Sequence, residues 1–284
     1  MREHMPGGPA ASDRFVRLDD GEMHVVEEGR PGAPAVLLIH GTGASAGWWD
    51  PVVEGLADAC RVIRVDLLSH WRPTSPARYD FPLQALRVAT VLDELGAGRV
   101  TAIGHSSGGG VATALAEERP DLVAALALIN TGPSPDAFIP QGPAAQLLEA
   151  PLLGPLLWRL LKNEDVVRKA MSSAFTRPVD IPYALIQDTL GMTHRALAGT
   201  GPAYLAYMRQ RSLPDRLAAL GLPVLVIFGT DDHRWRSSSA AAYRSVPGAR
   251  IELLPGVGHT PLMEDPQTTS KLLLDFAGAA GHQE

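Results

Sequence analysis

Short apolar runs alternate with longer amphipathic stretches along the first half of the chain. Runs such as Val36–Ile39 and Val62–Val65 are short and rich in β-branched residues, which is typical of strands buried on both faces. Strands are predicted at Phe15–Leu18, Met23–Glu28, Val36–His40, Val62–Asp66, Val100–Gly104 and Leu126–Asn130. Helices are predicted between them at Trp49–Ala59, Leu83–Leu95 and Ser107–Glu118. This alternation favours an α/β fold with a mostly parallel sheet and helices on both faces.

The alternation stops between Pro133 and Pro214, where leucine-rich clusters are separated by Pro and Gly. A loop of that length without secondary structure is implausible in a compact domain, so we expect an inserted helical cap. The alternation returns with strands at Val224–Gly229 and Ile251–Leu254 and helices at Ser237–Ser245 and Pro266–Ala277. The predicted organisation is a flexible leader at 1–14, a core formed by 15–132 and 215–284, and a cap at 133–214.

Composition narrows the class of protein further. The 284 residues include 25 basic and 31 acidic side chains, and a net charge of −6 argues against a nucleic-acid-binding protein. The single cysteine, Cys60, excludes an internal disulfide and a Cys-based metal site. No apolar segment reaches the roughly 18–20 residues that span a bilayer, and no secretory signal precedes the first strand. We therefore expect a cytoplasmic protein without a membrane partner, whose oligomeric state the sequence leaves open.

The segment Gly104-His105-Ser106-Ser107-Gly108 fits the pattern G-x-S-x-G. It follows a predicted strand and opens a predicted helix, which is the context in which this motif presents a nucleophilic serine. A sharp strand-to-helix turn projects the Ser106 hydroxyl above the sheet, and the small neighbouring residues avoid clashes. The alternative is a glycine-rich helix start without chemistry.

Other predicted strands also end in residues that can do chemistry. His40-Gly41-Thr42-Gly43, Gly229-Thr230-Asp231-Asp232 and Gly256-Val257-Gly258-His259 each follow an apolar strand. Catalytic groups of parallel sheets gather at the carboxyl edge of the strands. A single Asp or His at a strand end is usually structural, but Ser, Asp and His in this order at three strand ends favour a catalytic triad.

With these motifs, the sequence resembles the α/β-hydrolase superfamily over nearly the whole chain, from Phe15 to Ala277. It is most similar to the helical-capped branch of esterases, lactonases and C–C hydrolases. The matching segments are His40-Gly41, the Asp66 loop, the Ser106 turn, the Asp232 turn, and Gly258-His259 followed by Glu264 and Pro266.

The resemblance implies an eight-stranded sheet and specific roles for individual residues. Ser106 would be the nucleophile, His259 the general base and Asp232 the acid that orients it. The backbone N–H groups of Thr42 and Ser107 would form the oxyanion hole, and neither a metal nor an organic cofactor would be needed. Asp231 is expected to brace its turn, and Asp136 is a minor rival for the triad acid.

One loop departs from the family pattern. After Asp66 the family usually has Asp-x-x-Gly-x-Gly-x-Ser, whereas this chain has Ser69, Trp71 and Pro73 at those Gly, Gly and Ser positions. Trp71 is therefore a candidate for shaping the substrate pocket, with packing under the cap as the alternative. Trp48 and His105 are the other candidate substrate contacts, and packing remains the alternative for both.

The predicted function is hydrolysis of a small or medium apolar ester, lactone or thioester through an acyl-enzyme on Ser106. The alternatives keep the triad but perform C–C bond hydrolysis, acyl transfer or cyclisation, or perhydrolysis. A ligand-binding receptor without catalysis is a further alternative. Serine at the nucleophile position argues against haloalkane dehalogenases and epoxide hydrolases, which use a carboxylate there.

Overall fold

The computed structural model describes residues 11–68, 78–143, 147–148, 150 and 152–280 of the chain. Its eight strands are β1 (Ser12–Leu18), β2 (Gly21–Gly29), β3 (Ala35–Ile39), β4 (Arg61–Asp66), β5 (Val100–His105), β6 (Val123–Ile129), β7 (Val224–Gly229) and β8 (Arg250–Leu254). They form one sheet in the order β1-β2-β4-β3-β5-β6-β7-β8. β2 is antiparallel to both of its neighbours, and all the other pairs are parallel. The fold is the α/β-hydrolase fold that the sequence predicts.

Helices cover both faces of the sheet. They are α1 (Asp50–Ala57), α2 (Phe81–Glu94), α3 (Ser107–Glu118), α4 (Gly154–Leu161), α5 (Glu164–Ser172), α6 (Tyr183–Gly191), α7 (His194–Gln210), α8 (Leu213–Leu220), α9 (Pro261–Glu264) and α10 (Pro266–Ala280). The segment Ser237–Ser245, predicted as a helix, is a 3₁₀-helix. No helix of the described residues is long and apolar enough to cross a membrane.

Alternation along the strands produces two apolar cores, one on each face of the sheet. In β3, Leu37 and Ile39 pack with residues of α2 and α3, whereas Val36 and Leu38 pack with residues of α1 and α10. Strands buried on both faces explain why their sequences read as continuous apolar runs. The two cores fix the strand ends, and the candidate catalytic residues lie there.

The helices α4–α8 lie between β6 and β7, and we call them the helical insertion. In α4 and just before it, leucines are largely exposed, among them Leu160 in the helix at 67% and Leu152 ahead of it at 91%. The predicted boundaries of the cap and the leader remain predictions, although β1 begins at Ser12, ahead of the predicted strand at Phe15. Residues 1–10 of the predicted leader lie outside the described residues.

Candidate active site

Ser106 is the single residue between β5 and α3, in the sharp turn that the sequence predicts. Its backbone angles, φ 53° and ψ −123°, lie outside the regions that most residues adopt. A Cβ on Gly108 would lie 2.3 Å from the Ile39 carbonyl oxygen, so the start of α3 presses closely on the end of β3. Ser106 is partly exposed while its neighbours on both sides are buried. The turn therefore presents this one residue at the carboxyl edge of the sheet.

His259 and Asp232 come together from the loops after β8 and β7. His259 Nδ1 lies 2.9 Å from Asp232 Oδ2 and 3.1 Å from Oδ1. A carboxylate only accepts, so Nδ1 carries the proton, and Nε2 is left free to accept one. Burial by itself would raise the pKa of the Asp232 carboxyl, but the His259 ring and the hydrogen bonds donated to the carboxylate lower it below its usual value.

Three further donors hold the Asp232 carboxylate in place. The backbone N–H groups of Arg234 and Trp235 donate to Oδ1 at 2.6 and 3.2 Å, and Asn130 Nδ2 donates to Oδ2 at 2.7 Å. Asn130 also donates to the Gly258 carbonyl at 3.1 Å and accepts from the Gly229 N–H at 3.2 Å. One amide thus joins the ends of three neighbouring strands to the candidate acid.

Sequence reasoning missed the role of Asn130, because it counted this residue as the last of a strand. The strand β6 ends at Ile129, and Asn130 has a φ of 44°. Asparagine adopts positive φ more readily than most residues. An Asn directly after an apolar strand is therefore the signal that could have identified a turn here.

His105 is buried and lies beneath the loop that carries His259. Its Nε2–H donates to the His259 carbonyl oxygen at 2.9 Å, and the two ring centroids are 5.0 Å apart. Burial, together with the nearby His259 ring, lowers the pKa of His105 to about 3. His105 is therefore neutral at pH 7, and this bond places it against the candidate base, while its contact with substrate stays a prediction.

The two candidate oxyanion donors lie close together, but one of them is already engaged. The Thr42 N–H donates to the Ser107 hydroxyl oxygen at 2.9 Å, and the two hydroxyl oxygens are 3.0 Å apart. Ser107 is buried, whereas Thr42 is exposed. A substrate oxygen that uses the Thr42 N–H must displace the Ser107 hydroxyl.

Buried polar groups fix the turn that carries Thr42. His40 Nδ1–H donates to the Gly41 carbonyl at 2.8 Å, and its Nε2 accepts from the Leu67 N–H at 3.0 Å. Burial lowers the pKa of His40, so this ring is neutral. Asp66 accepts from the Ala46 N–H at 2.6 Å, which ties the turn to the end of β4.

The helical insertion contacts this same turn. Ser45 Oγ donates to Asp188 Oδ2 at 2.6 Å, and Thr189 Oγ1 lies within hydrogen-bonding distance, 3.1 Å, of the Gly43 carbonyl. Trp48, a candidate substrate contact, is buried, and its ring centroid lies 6.1 Å from that of Phe175. The junction between insertion and turn therefore combines polar bonds with an aromatic contact.

The remaining candidates are placed as follows. Asp231 is exposed and accepts a hydrogen bond from the Thr230 hydroxyl at 2.9 Å. Asp136 is exposed in a 3₁₀ turn, and its backbone carbonyl accepts from Arg236. Trp71 and its neighbours in the unusual loop lie outside the described residues. The structure thus pairs His259 with Asp232, and not with either of the two other acids.

Comparison with known proteins gives consistent matches. A model of the group described as "Alpha/beta hydrolase family" matches residues 36–272. An uncharacterized protein of Mycobacterium tuberculosis is 32% identical over 82% of this chain and 72% of its own length. The 2-hydroxy-6-oxononadienedioate/2-hydroxy-6-oxononatrienedioate hydrolase 2 of Pseudomonas putida is 28% identical over 94% of this chain and 96% of its own. A solved structure of a hydrolase from Pseudomonas aeruginosa is 27% identical, with a TM-score of 0.74 and coverage of 94% and 98%.

Proposed function

The chain belongs to the alpha/beta hydrolase family, and on that basis we propose that it is a serine hydrolase acting through an acyl-enzyme on Ser106. The proposed substrate is a small or medium apolar ester, lactone or thioester. The observation that carries this proposal is the hydrogen bond from the His259 Nδ1–H to Asp232, together with a strained, partly exposed Ser106 in the turn after β5.

In the proposed mechanism, His259 Nε2 takes the proton of the Ser106 hydroxyl as its oxygen attacks the substrate carbonyl. Asp232 stabilises the imidazolium that forms. The negative charge on the carbonyl oxygen is bound by the N–H groups of Ser107 and Thr42, the latter after the Ser107 hydroxyl has moved away. His259 then protonates the leaving group, and water, activated by the same ring, hydrolyses the acyl-enzyme.

A fluorophosphonate probe tests this proposal directly, because it reacts with an activated serine. We expect the parent protein to be labelled at Ser106 and the variant Ser106→Ala to remain unlabelled while keeping its fold. Loss of a nucleophile of this type lowers kcat on the order of 10⁶-fold. Near-parent turnover of a simple p-nitrophenyl ester by Ser106→Ala would overturn the assignment.

A second candidate is C–C bond hydrolysis by the same three residues, and the similarity to the Pseudomonas putida hydrolase favours it. The two candidates differ in the bond cleaved, so a panel of p-nitrophenyl esters, lactones and diketone-type substrates separates them. Higher kcat/KM on the diketones than on every ester would favour C–C hydrolysis.

A further inference from the structure

The Glu264 carboxylate at the end of α9 accepts hydrogen bonds from four backbone N–H groups. Oε2 accepts from Thr176, Arg177 and Gly258 at 2.8, 2.9 and 2.9 Å, and Oε1 accepts from Thr260 at 3.1 Å. Glu264 is buried, with 8% of its surface exposed. Buried N–H groups need acceptors, and a charged acceptor forms stronger bonds than a neutral one.

Two of these donors flank the candidate base. Gly258 and Thr260 are the residues on either side of His259, so the carboxylate holds the backbone of the base at both neighbouring positions. The His259 N–H itself donates to the Ala174 carbonyl at 3.0 Å. With its backbone held at three consecutive residues, the His259 ring is directed towards Asp232.

The other two donors, Thr176 and Arg177, come from the segment of the helical insertion that follows α5. A Cβ on Gly258 would lie 2.8 Å from both Glu264 Oε1 and the Thr176 nitrogen, so the two segments pack without room for a side chain between them. The Arg177 guanidinium also donates to the carbonyls of Pro255 and Gly256 at 2.9 and 3.0 Å. The insertion is thereby fastened to the loop that carries the base.

We propose that Glu264 is a positioning residue, which holds the His259 ring in hydrogen-bonding distance of Asp232. It also makes this position of the ring depend on the packing of the segment Ala174–Arg177 against the loop that carries His259. The inference rests on the proposed function, since it gives the His259 ring a catalytic task. A carboxylate suits this position because both of its oxygens accept. A glutamine offers one accepting oxygen and an NH₂ group that would face an N–H donor.

The test uses Glu264→Gln and Glu264→Ala, with Glu117→Gln as the matched control. Glu117 accepts from the Tyr207 hydroxyl at 2.6 Å and from Arg216 at 2.8 and 2.9 Å. It lies near the far end of α3 (Ser107–Glu118), about 16 Å along the helix axis from Ser106. The control therefore removes a comparable network of carboxylate bonds from a place remote from the base.

Two readouts separate positioning from a general loss of stability. The first is the rate constant of fluorophosphonate labelling at Ser106 in folded protein. The second is the downfield proton resonance of His259 Nδ1–H in histidine-labelled protein, which reports its bond to Asp232. We expect labelling to slow about 100-fold in Glu264→Ala, the scale of a misplaced catalytic group, and less in Glu264→Gln. The resonance should broaden or shift in both, whereas Glu117→Gln should match the parent in both readouts.

Parent-like labelling with an unchanged resonance in Glu264→Ala would overturn the proposal, and so would equal losses in Glu117→Gln. If Glu264→Ala does not fold, Glu264→Gln decides by the same two readouts. If the parent itself is not labelled, the proposed function fails, and the resonance alone still tests whether Glu264 positions the ring.

Discussion

Helix α3 of the core and helix α4 of the helical insertion are packed very differently. The residues of α3 from Ser107 to Ala116 are all buried, whereas α4 buries only Gly154. The core fixes Ser106, the proposed nucleophile, through tight packing of glycines and apolar side chains. Other parts of the insertion reach the site both through hydrogen bonds, such as Asp188 with Ser45 and the Thr176 N–H with Glu264, and through apolar residues of α5 and α6 that join one of the two cores. The position of Ser106 thus depends on dense packing, whereas the contacts of the insertion with the site combine polar bonds with apolar packing.

The largest effect should come from Asp232, the proposed acid at the edge of the core. Asp232→Asn keeps the shape of the side chain but favours the wrong tautomer of His259, so we expect kcat on an ester to fall about 10⁴-fold. Asp231→Asn is the matched control and should leave kcat near the parent value, because the Asp231 side chain is exposed and accepts from the neighbouring Thr230 hydroxyl. A larger loss in Asp231→Asn would reverse the two roles.

Packing density can be compared directly with one pair of leucines. Leu115 of α3 is fully buried, whereas Leu156 of α4 is 55% exposed. Leu115→Ala should lower the free energy of unfolding by about 2–5 kcal/mol, and Leu156→Ala should change it by less than about 0.5 kcal/mol. Urea denaturation measures both values. Equal losses in the two variants would show that α4 is packed as closely as the core.

The pH dependence of stability offers a third test, which concerns His105 in the core. The pKa of His105 is about 3 in the folded protein and near 6.5 when unfolded, so the unfolded state binds a proton that the folded state excludes. The stability that neutral His105 provides is present above pH 6.5 and is lost as the pH falls from 6.5 towards 3. Between pH 6.5 and 4.5 this loss should be about 2–3 kcal/mol.

His105→Gln keeps a donor for the His259 carbonyl but does not titrate. Urea denaturation at a series of pH values should therefore give a shallower decline in this variant than in the parent. Parallel declines in parent and variant would assign the pH dependence to other groups.

The smallest effect concerns the oxyanion turn, where the core meets the insertion. Ser107→Ala removes the hydroxyl that occupies the Thr42 N–H, so a substrate oxygen no longer has to displace it. A hydrogen bond of this kind contributes about 0.5–1.5 kcal/mol, and we expect kcat/KM on esters to rise about 2- to 10-fold. Thr42→Val, which keeps the N–H, is the control. A fall in Ser107→Ala would mean that the hydroxyl itself binds the substrate oxygen.

The strands and helices of the core could be predicted closely from the sequence, because each depends on a regular pattern of apolar residues within a short segment. Burial on both faces gives β3 and β7 continuous apolar runs, and α3 spans the same residues in the sequence prediction as in the structure. The Ser106 turn was predictable because small residues are required on both sides of it. Neither observation depends on knowing which distant residues meet.

The contacts of Asn130 and Glu264 could not be predicted for the opposite reason, although Glu264 belongs to a segment that matches the family pattern. Their partners are mostly backbone N–H and C=O groups of distant loops, and every residue type except proline offers the same N–H. No pattern of side chains marks such a contact. The bond from Asn130 to Asp232 and those from the insertion to Glu264 emerge only when the strand ends are placed in space.

Thr176 is bound to Glu264 through its own backbone N–H, and this determines which mutations position 176 can tolerate. What the carboxylate recognises at Thr176 is an N–H at a fixed distance, so many side chains can serve there but proline cannot. A deletion of one residue between α5 and Arg177 would move both donors out of reach. A library of variants should therefore show position 176 as more tolerant of other side chains than of proline, and the segment as intolerant of changes in length.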